Sequence, residues 1–509
     1  MSRSIGSSIL AILGRKGSAI LISIIFTPVL IRLLGAGAYG RYATIISIFG
    51  LTAPLLNSGT NDSIRKYLSE DRDTKWKSSI FGFHIRVAGL IALLLAGGFA
   101  FAAASGLVES LLGPEFTPLI MIFAGYILAR QSQSTLIRSL MGLKLEKISE
   151  PLQITRKVIF SAAAIGLAYF GWGVPGVLFA SIVADVMVAL VASYLLSQYL
   201  HLSSIFSFEN PLPKRDVLTY AGGTALFFGC LMSLYHVDIL MLIWWTEDST
   251  VGYYKGALAI AELLWFVPSA IQLSMLQSTS EYWQYDKLDA LDRLSSQITR
   301  LATLLVLLMA IGLAVLADSF VPLYLGSDFE AAVTPLLLLL PGVIGFAVTR
   351  PVLAISQAKG EIRPIIFATL ASALINFGAN AILIPTYGMV GAAIGTSLGY
   401  GSLPLFQSSV ARNFGYSPFT NIRAVRIVAT AVPTAVLLYS LDIVIQNDLV
   451  ALVVIPPVGA LIYLIFAIKG GAITNEDIES FQEKISECWI GALLSGEDSD
   501  ETISKDTRK

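Results

Sequence analysis

The chain has 509 residues, of which 55% are hydrophobic and only 14% are charged, and its mean hydropathy is +0.73. Soluble domains carry roughly a quarter charged residues, so this composition excludes a soluble enzyme. The net charge of −1 gives no overall positive field that would indicate nucleic acid as a partner. The two cysteines and three histidines are too scattered for a disulfide framework or a metal cluster, and we expect neither a metal nor a cofactor.

The hydrophobic residues occur in blocks of about twenty, the length that crosses a hydrocarbon core of roughly 30 Å. These blocks predict an all-α integral membrane protein with about fourteen transmembrane helices. The first block is too long for a cleavable signal peptide. The predicted spans are 17–34, 41–62, 80–104, 117–137, 156–171, 174–197, 217–245, 251–275, 299–317, 331–349, 364–384, 388–411, 425–441 and 449–468.

The charges between the spans alternate and predict how the chain is oriented. Acidic residues such as Glu109, Glu247 and Asp328 occupy connections after odd-numbered spans. By the positive-inside rule the basic connections are cytoplasmic, so we expect a cell-membrane protein with both termini in the cytoplasm. The connections after even-numbered spans contain the basic residues of 65–77, 138–157, 214–215, 287–300, 350–363 and 412–426, and those after odd-numbered spans contain only Arg32, Arg41 and Lys255.

The first twelve spans are predicted to be two copies of one six-helix unit. Gly40 after the first span aligns with Gly252 after the seventh, 212 residues later. Pro151 before the fifth span aligns with Pro364 before the eleventh, at an offset of 213. Because six is even, both units cross the membrane in the same sense and are related by an axis along the membrane normal. Two such bundles leave a cleft between them.

The repeat divides the chain into five regions. Residues 1–198 are predicted to form an N-terminal six-helix bundle, 199–216 a cytoplasmic linker, and 217–412 a C-terminal six-helix bundle. Transmembrane helices 13 and 14 lie in 413–469, outside the repeat. Residues 470–509 are predicted to contain a cytoplasmic amphipathic helix, which a capping box at Thr474 and Asp477 begins, and then a disordered tail.

Residues 28–42, Pro-Val-Leu-Ile-Arg-Leu-Leu-Gly-Ala-Gly-Ala-Tyr-Gly-Arg-Tyr, resemble the opening of the polysaccharide-exporting flippases in the multidrug/oligosaccharidyl-lipid/polysaccharide superfamily. Segments 323–329 and 384–395 are similar to that family as well. The resemblance implies two bundles around a hydrophilic cavity. It also implies that a dolichyl- or polyprenyl-phosphate-linked oligosaccharide crosses the cytoplasmic membrane by alternating access, for cell-surface glycan assembly or protein N-glycosylation. The expected partners are membrane lipids and glycosyltransferases of the same pathway, and the expected state is a monomer.

Charged side chains within the spans are candidate site residues, because an ionised group at the bilayer centre costs about 2.5–3.5 kcal/mol. A guanidinium can bind a lipid-linked phosphate through two parallel hydrogen bonds. Snorkelling to a membrane surface is the alternative role for these cations. The acidic candidates, which are either ion-coupling groups or salt-bridge partners, are Asp185, Asp238 and Glu262. The basic substrate-binding candidates are Arg15, Lys16, Arg32, Arg41, Arg86, Arg130 and Lys255.

Two other functions fit parts of the sequence. A multidrug exporter of the same superfamily is one, although it would favour twelve spans and an acidic cavity. A membrane glycosyltransferase or polymerase uses the same lipid donors, but every outer connection has about a dozen residues or fewer, too few to build a catalytic site. The chain also contains no Gly-x-x-x-x-Gly-Lys-Ser/Thr loop for ATP. We therefore expect a transporter and not an enzyme.

Overall fold

The computed structural model describes residues 5–57, 61–207 and 214–475, together with Asp477 and Glu479. Side chains are described from residue 21 in the first range and from residue 225 in the third, apart from residues 62 and 277. All regular elements in this described part are helical. Short 3-10 helices cover Leu202–Phe206, Glu262–Trp265 and Ser327–Ala332. The α-helices are α1 (Ile5–Asn57), α2 (Asn61–Leu68), α3 (Thr74–Ala104), α4 (Leu107–Leu112), α5 (Phe116–Gly142), α6 (Glu146–Tyr169), α7 (Gly173–Ser197), α8 (Lys214–Trp245), α9 (Asp248–Ala261), α10 (Phe266–Ser278), α11 (Ser280–Gln284), α12 (Leu288–Val315), α13 (Ala317–Leu325), α14 (Val333–Ala358), α15 (Ile362–Asn413), α16 (Ala424–Val444) and α17 (Asp448–Lys469).

These helices confirm the predicted all-α membrane fold. Within the described residues, ten helical segments are long and apolar enough to cross a membrane. Two of them contain two spans each, because α1 and α15, with 53 and 52 residues, would each be about 80 Å long if straight. Helices α5 and α6, with 27 and 24 residues, supply the remaining two of the fourteen spans.

The backbone of α1 turns at Gly35 and that of α15 turns at Gly388. Both glycines have positive φ, 73° and 54°, a region that side chains with a Cβ rarely enter. The two turns lie at the same end of the molecule, which we call the kink end. The opposite end contains residues 198–207 and the start of α8 and is called the connection end.

The helices pack as two halves and an outlying pair. In the first half, α3, α5, α6 and α7 pack beside α1; in the second half, α8, α9, α10, α12, α14 and α15 pack together. Helix α1 also contacts α8, α9 and α10, so spans 1 and 2 form the main bridge between the halves. Helices α16 and α17 pack on each other and on α12. The fourteenth span therefore belongs structurally with the second half.

The halves approach closely at the kink end through two glycines. A Cβ atom on Gly40 would overlap the backbone carbonyl of Asp248 and lie 2.9 Å from the amide nitrogen of Gly252. A Cβ atom on Gly252 would overlap the backbone carbonyl of Ala36. Ala36 and Asp248 are separated by the same 212 residues as Gly40 and Gly252. The contact is therefore reciprocal, as the repeat requires.

Polar contacts join the halves in the same region. Arg41 Nη1 lies 2.9 Å from the Asp248 carboxylate across the halves and 2.5 Å from that of Glu115. Arg32 donates a hydrogen bond to the carbonyl of Leu323. These exposed or half-exposed contacts are each worth little free energy, but together with the glycine contact they close the kink end.

The start of the C-terminal segment is fixed at the connection end. Thr474 and Asp477 form the reciprocal capping box, with hydrogen bonds of 2.9 and 3.2 Å. Arg300 of α12 donates to both carboxylate oxygens of Asp477 at 2.7 Å, and Gln297 adds a third contact at 2.9 Å. The side chains of Arg300 and Asp477 are only 8% and 3% exposed. The predicted amphipathic helix beyond residue 480 lies outside the described residues.

We expect this segment to detach in acid. Burial alone would raise the pKa of Asp477, but hydrogen bonds from Thr474 and Gln297 and the charge of Arg300 outweigh it and hold that pKa below its usual value. A group with a lowered folded-state pKa contributes its full stability above the unfolded value, about 3.9, and loses it as pH falls through the folded-state pKa. Hydrogen–deuterium exchange of residues 471–477, corrected for the intrinsic rate, should therefore accelerate only below about pH 4.

The Arg300→Gln variant should show the same fast exchange at neutral pH, because removal of one partner from a buried ion pair costs about 3–5 kcal/mol. Arg293→Gln is the matched control, since Arg293 is exposed and lies on the same helix. Equal exchange in both variants would contradict a stabilising role for the Arg300–Asp477 contact.

Candidate functional site

A cavity of about 610 Å³ lies between the two halves, a size typical of ligand sites. Helices α1 and α6 line it from the first half, and α9, α10, α13 and α14 line it from the second. Its walls contain aromatic rings and hydroxyl groups, among them those of Tyr39, Tyr42, Ser23 and Thr27. The charged residues among the described lining are Lys157, Lys255, Arg350 and Glu262. The walls are therefore mostly apolar, and the charged groups among them are predominantly basic.

Arg350 is held rigidly in the cavity wall. Its guanidinium donates to Gln272 Oε1 at 3.0 Å and to the Tyr235 hydroxyl at 3.1 Å. The guanidinium carbon also lies 4.6 Å from the ring centroid of Phe346 and 5.4 Å from that of Trp265. A ring face attracts a cation, so these contacts help to hold the guanidinium in this position. These partners are neutral, so they orient the positive charge and do not cancel it.

Two lysines and one carboxylate complete the charged lining. Lys157 Nζ donates to Ser23 Oγ at 2.5 Å, across α6 and α1. Lys255 Nζ lies 4.0 Å from Glu262 Oε1, at the limit of an ion pair. Among the described side chains, Lys255 and Glu262 are therefore the two sequence-predicted site residues that line this cavity.

Lys157 and Arg350 were counted from the sequence among the cytoplasmic connections, whereas the structure places both inside helices that line the cavity. Helix α6 begins at Glu146, so Lys157 lies eleven residues inside it, and α14 continues eight residues beyond Arg350, to Ala358. Eight residues of helix are about 12 Å long. Both helices continue past the charged residue. A hydropathy profile misses this, because it ends the predicted span at the charge.

A second, apolar groove of about 560 Å³ lies between the second half and the last two spans. Its lining includes Leu313 and Phe320 on one side and Leu438 and Ile455 on the other. Leu263 lines both this groove and the central cavity. The basic cavity and the apolar groove are therefore neighbours that share one wall.

The Asp238 carboxylate lies inside the second half and away from the cavity. It is fully buried and accepts hydrogen bonds from Thr396 Oγ1 and the Ile239 amide, both at 2.8 Å, and from the Tyr254 hydroxyl. Asn376 and Asn380 are also fully buried, and the carboxamide oxygen of each lacks a hydrogen-bond partner among the described atoms. Thr396 links the two groups, since the amide nitrogen of Asn376 lies 3.4 Å from Thr396 Oγ1. Buried polar atoms without a partner are costly.

Asp185 lies inside the first half and joins two arginines. Its Oδ1 atom is 3.3 Å from Nη1 of Arg130 and 3.3 Å from Nη1 of Arg156. The Asp185 side chain is fully buried, whereas Arg130 and Arg156 are 29% and 22% exposed. Arg130 also donates to Gln133 Oε1 at 3.0 Å. The structure thus brings the predicted residues Arg130 and Asp185 together, outside the described cavity lining.

The other sequence-predicted cations lie elsewhere. Arg32 and Arg41 make the contacts at the kink end described above. Arg86 donates to the carbonyls of Ser204 and Ile205 at 3.0 and 2.8 Å, and so fastens the chain that leads to the second half. The side chains of Arg15 and Lys16 lie outside the described residues.

Comparison with known proteins agrees with the resemblance drawn from the sequence. The family that matches residues 29–334 is described as "Polysaccharide biosynthesis protein". Two relatives come from Haloferax volcanii. Probable flippase AglR is 24% identical over 389 residues, covering 74% of this chain and 76% of the relative. Probable low-salt glycan biosynthesis flippase Agl15 is 22% identical over 383 residues, covering 72% and 75%.

Among solved structures, the lipid II flippase MurJ in an inward closed conformation superimposes with a TM-score of 0.75. The alignment covers 90% of this chain and 98% of that one, at 14% sequence identity. At this identity the match establishes the fold alone. It confirms the predicted all-α, multi-pass membrane fold.

Proposed function

We propose that this chain, which belongs to the polysaccharide biosynthesis protein family, is a flippase for lipid-linked oligosaccharides. Its cargo is an oligosaccharide on a dolichyl or polyprenyl phosphate, which serves cell-surface glycan assembly or protein N-glycosylation. The observation that carries the proposal is the basic cavity between two halves that meet at the kink end. The names of the two Haloferax relatives support the same function.

The cavity cations bind the phosphate of the cargo. Arg350 is the central group, because its neutral partners fix the guanidinium and leave its charge for an anion. Lys157 and Lys255 approach from opposite halves, so an anion between them favours closure of the cavity around it. The hydroxyl and aromatic side chains of the lining suit the sugar, which presents both hydroxyl groups and apolar faces.

The apolar groove takes the lipid tail. It shares Leu263 with the cavity, so a phosphate in the cavity leaves the attached isoprenoid beside the groove. A hydrocarbon chain that is buried against the apolar side chains of the groove need not pass the charged groups of the cavity. This role would explain why spans 13 and 14 exist outside the repeat.

Transport occurs by alternating access, with rocking of one half against the other. The basic connections support an orientation in which the connection end is cytoplasmic, and with it both termini. The kink end is then external. The predicted division into 1–198, 199–216, 217–412, 413–469 and 470–509 stays a prediction, as do a monomeric state, partner glycosyltransferases and the absence of catalysis.

Asp238 is the ion-coupling group among the three predicted carboxylates. An alkali cation prefers oxygen ligands, and Asp238, Thr396, Asn376 and Asn380 offer a carboxylate, a hydroxyl and two carboxamide oxygens. A bound cation would neutralise the buried charge and give the unpaired amide oxygens a partner. Asp185 already has two arginine partners and Glu262 faces Lys255, which makes both less suitable for coupling.

The test is transfer of a fluorescent polyprenyl-phosphate disaccharide between leaflets of proteoliposomes, measured by protection from a membrane-impermeant quencher. Arg350→Ala should reduce the transfer rate about tenfold or more, since a hydrogen bond to a charged group is worth about 1.5–3 kcal/mol. Arg412→Ala, at an exposed arginine at the connection end, is the matched control and should transfer normally. No transfer by the unmodified protein, or full activity of Arg350→Ala, would contradict the proposal.

The same vesicles distinguish the multidrug alternative. A drug exporter should move a cationic dye such as ethidium and leave the glycolipid in place. The basic lining of the cavity disfavours a cationic cargo through like-charge repulsion. We therefore expect glycolipid transfer without ethidium transport.

A further inference from the structure

We infer that Arg130 and Arg156 form a second anion-binding site, separate from the cavity cations, which binds a second negatively charged group of the cargo. This inference rests on the proposed flippase function. The ligand chemistry is an oxyanion. Its source is either the second phosphoryl group of a pyrophosphate link or the carboxylate of an acidic sugar.

The two arginines carry more positive charge than their shared partner neutralises. Arg130 and Arg156 share a single carboxylate, that of Asp185, and both approach the same oxygen atom at 3.3 Å. This group of three therefore carries one surplus positive charge. The other oxygen of Asp185 has no hydrogen-bond partner among the described residues. Asp185 thus anchors the two guanidiniums and neutralises only one of them.

Arg156 lies close to residues that line the cavity. Arg156 and Phe160 are four residues apart on α6 and share a helix face, and Phe160 lines the cavity. Tyr42, another lining residue, lies within electrostatic range of Arg156. Since a guanidinium exposed to lipid at this depth is unfavourable, the exposed parts of Arg130 and Arg156 face the interior. Arg156 is also adjacent in sequence to Lys157, which lines the cavity.

Both guanidiniums keep nitrogen atoms that could donate to an anion. Among the described contacts, each arginine reaches Asp185 through Nη1, which leaves Nε and Nη2 for an oxyanion. Two guanidiniums held side by side match the oxygens of a phosphoryl or carboxylate group. On this inference the site lies beside the cavity, next to Lys157 of α6.

The test measures anion binding to the purified full-length protein in detergent by calorimetry, with inorganic pyrophosphate and glucuronate as separate probes. The Arg350→Gln background weakens the cavity site, so that the signal comes from the arginine pair. Asp185→Asn raises the surplus charge and should tighten anion binding at least ~3-fold. Arg130→Gln and Arg156→Gln should each weaken it at least ~10-fold. Preference for one probe identifies the source of the charge.

A purely structural ion-pair group predicts a different outcome. Asp185→Asn would then lower the thermal unfolding temperature and leave anion affinity unchanged or weaker, which would overturn the inference. If Gln variants do not fold, Arg130→Lys and Arg156→Lys keep the charge and should lose affinity for the planar carboxylate most. Glycolipid transfer without anion binding at the pair would reject the second site alone. Anion binding without glycolipid transfer would reject the flippase function alone.

Discussion

Replacement of Gly40 with alanine should reduce glycolipid transfer about tenfold or more, because the kink end would no longer close. The added Cβ would overlap the backbone of Asp248, which, unlike a flexible side chain, cannot rotate away. Overpacking of this kind costs about 1–3 kcal/mol, and here it falls only on the closed state. Gly252→Ala should have the same effect, since its Cβ would overlap the backbone of Ala36.

Gly37→Ala is the matched control. It lies one turn from Gly40 in α1, and a Cβ there meets nothing within 4 Å. Alanine favours helix by about 1 kcal/mol over glycine, so a weaker helix cannot explain a loss at Gly40. Maleimide labelling of a cysteine at Ala36, with Cys230 and Cys488 replaced, should rise in Gly40→Ala and stay low in Gly37→Ala. Normal transfer by Gly40→Ala would refute the role of this contact.

Replacement of Asp238 with asparagine should abolish ion-driven transfer and leave the fold intact. Asparagine keeps the shape of the side chain, and the hydroxyls of Tyr254 and Thr396 can rotate to accept from its amide. The buried negative charge disappears, so a cation would lose its charged ligand. Stimulation of glycolipid transfer by a sodium gradient should fall to the gradient-free rate.

Binding can be measured without transport. A ligand that binds only the folded protein raises the unfolding temperature with its concentration. Sodium chloride should raise it for the unmodified protein relative to choline chloride, and not for Asp238→Asn. Glu262→Gln is the matched carboxylate control and should keep the sodium response. If transfer followed pH and ignored sodium, Asp238 would carry a proton and not an alkali cation.

The sequence predicts much of this fold because a membrane restricts the alternatives. Blocks of about twenty apolar residues predict the number of helices. Alternating charges predict their orientation in the membrane, which stays a prediction. The offset between Gly40 and Gly252 also identifies two equivalent positions. It does not reveal that these positions touch Asp248 and Ala36 across the halves, because that contact depends on how two bundles pack.

The site is less predictable, since hydropathy ends a span where a charge begins. Lys157 and Arg350 were counted with the cytoplasmic connections for this reason, although their helices continue past them. The role of Arg86 could not be predicted either, because its partners, the carbonyls of Ser204 and Ile205, follow it by more than a hundred residues. The shared partner of Arg130 and Arg156 likewise depends on three helices that meet only in the folded chain.

The packing of α16 and α17 has a mechanical consequence. The described walls of the apolar groove come from the second half and from these two helices, which rest on α12. If the halves rock as proposed, the groove should move with the second half and keep its shape, whereas the cavity, built from both halves, should deform. The lipid tail would then stay in an unchanged groove that moves with the second half. Only the head group, in the cavity, would meet changed surroundings.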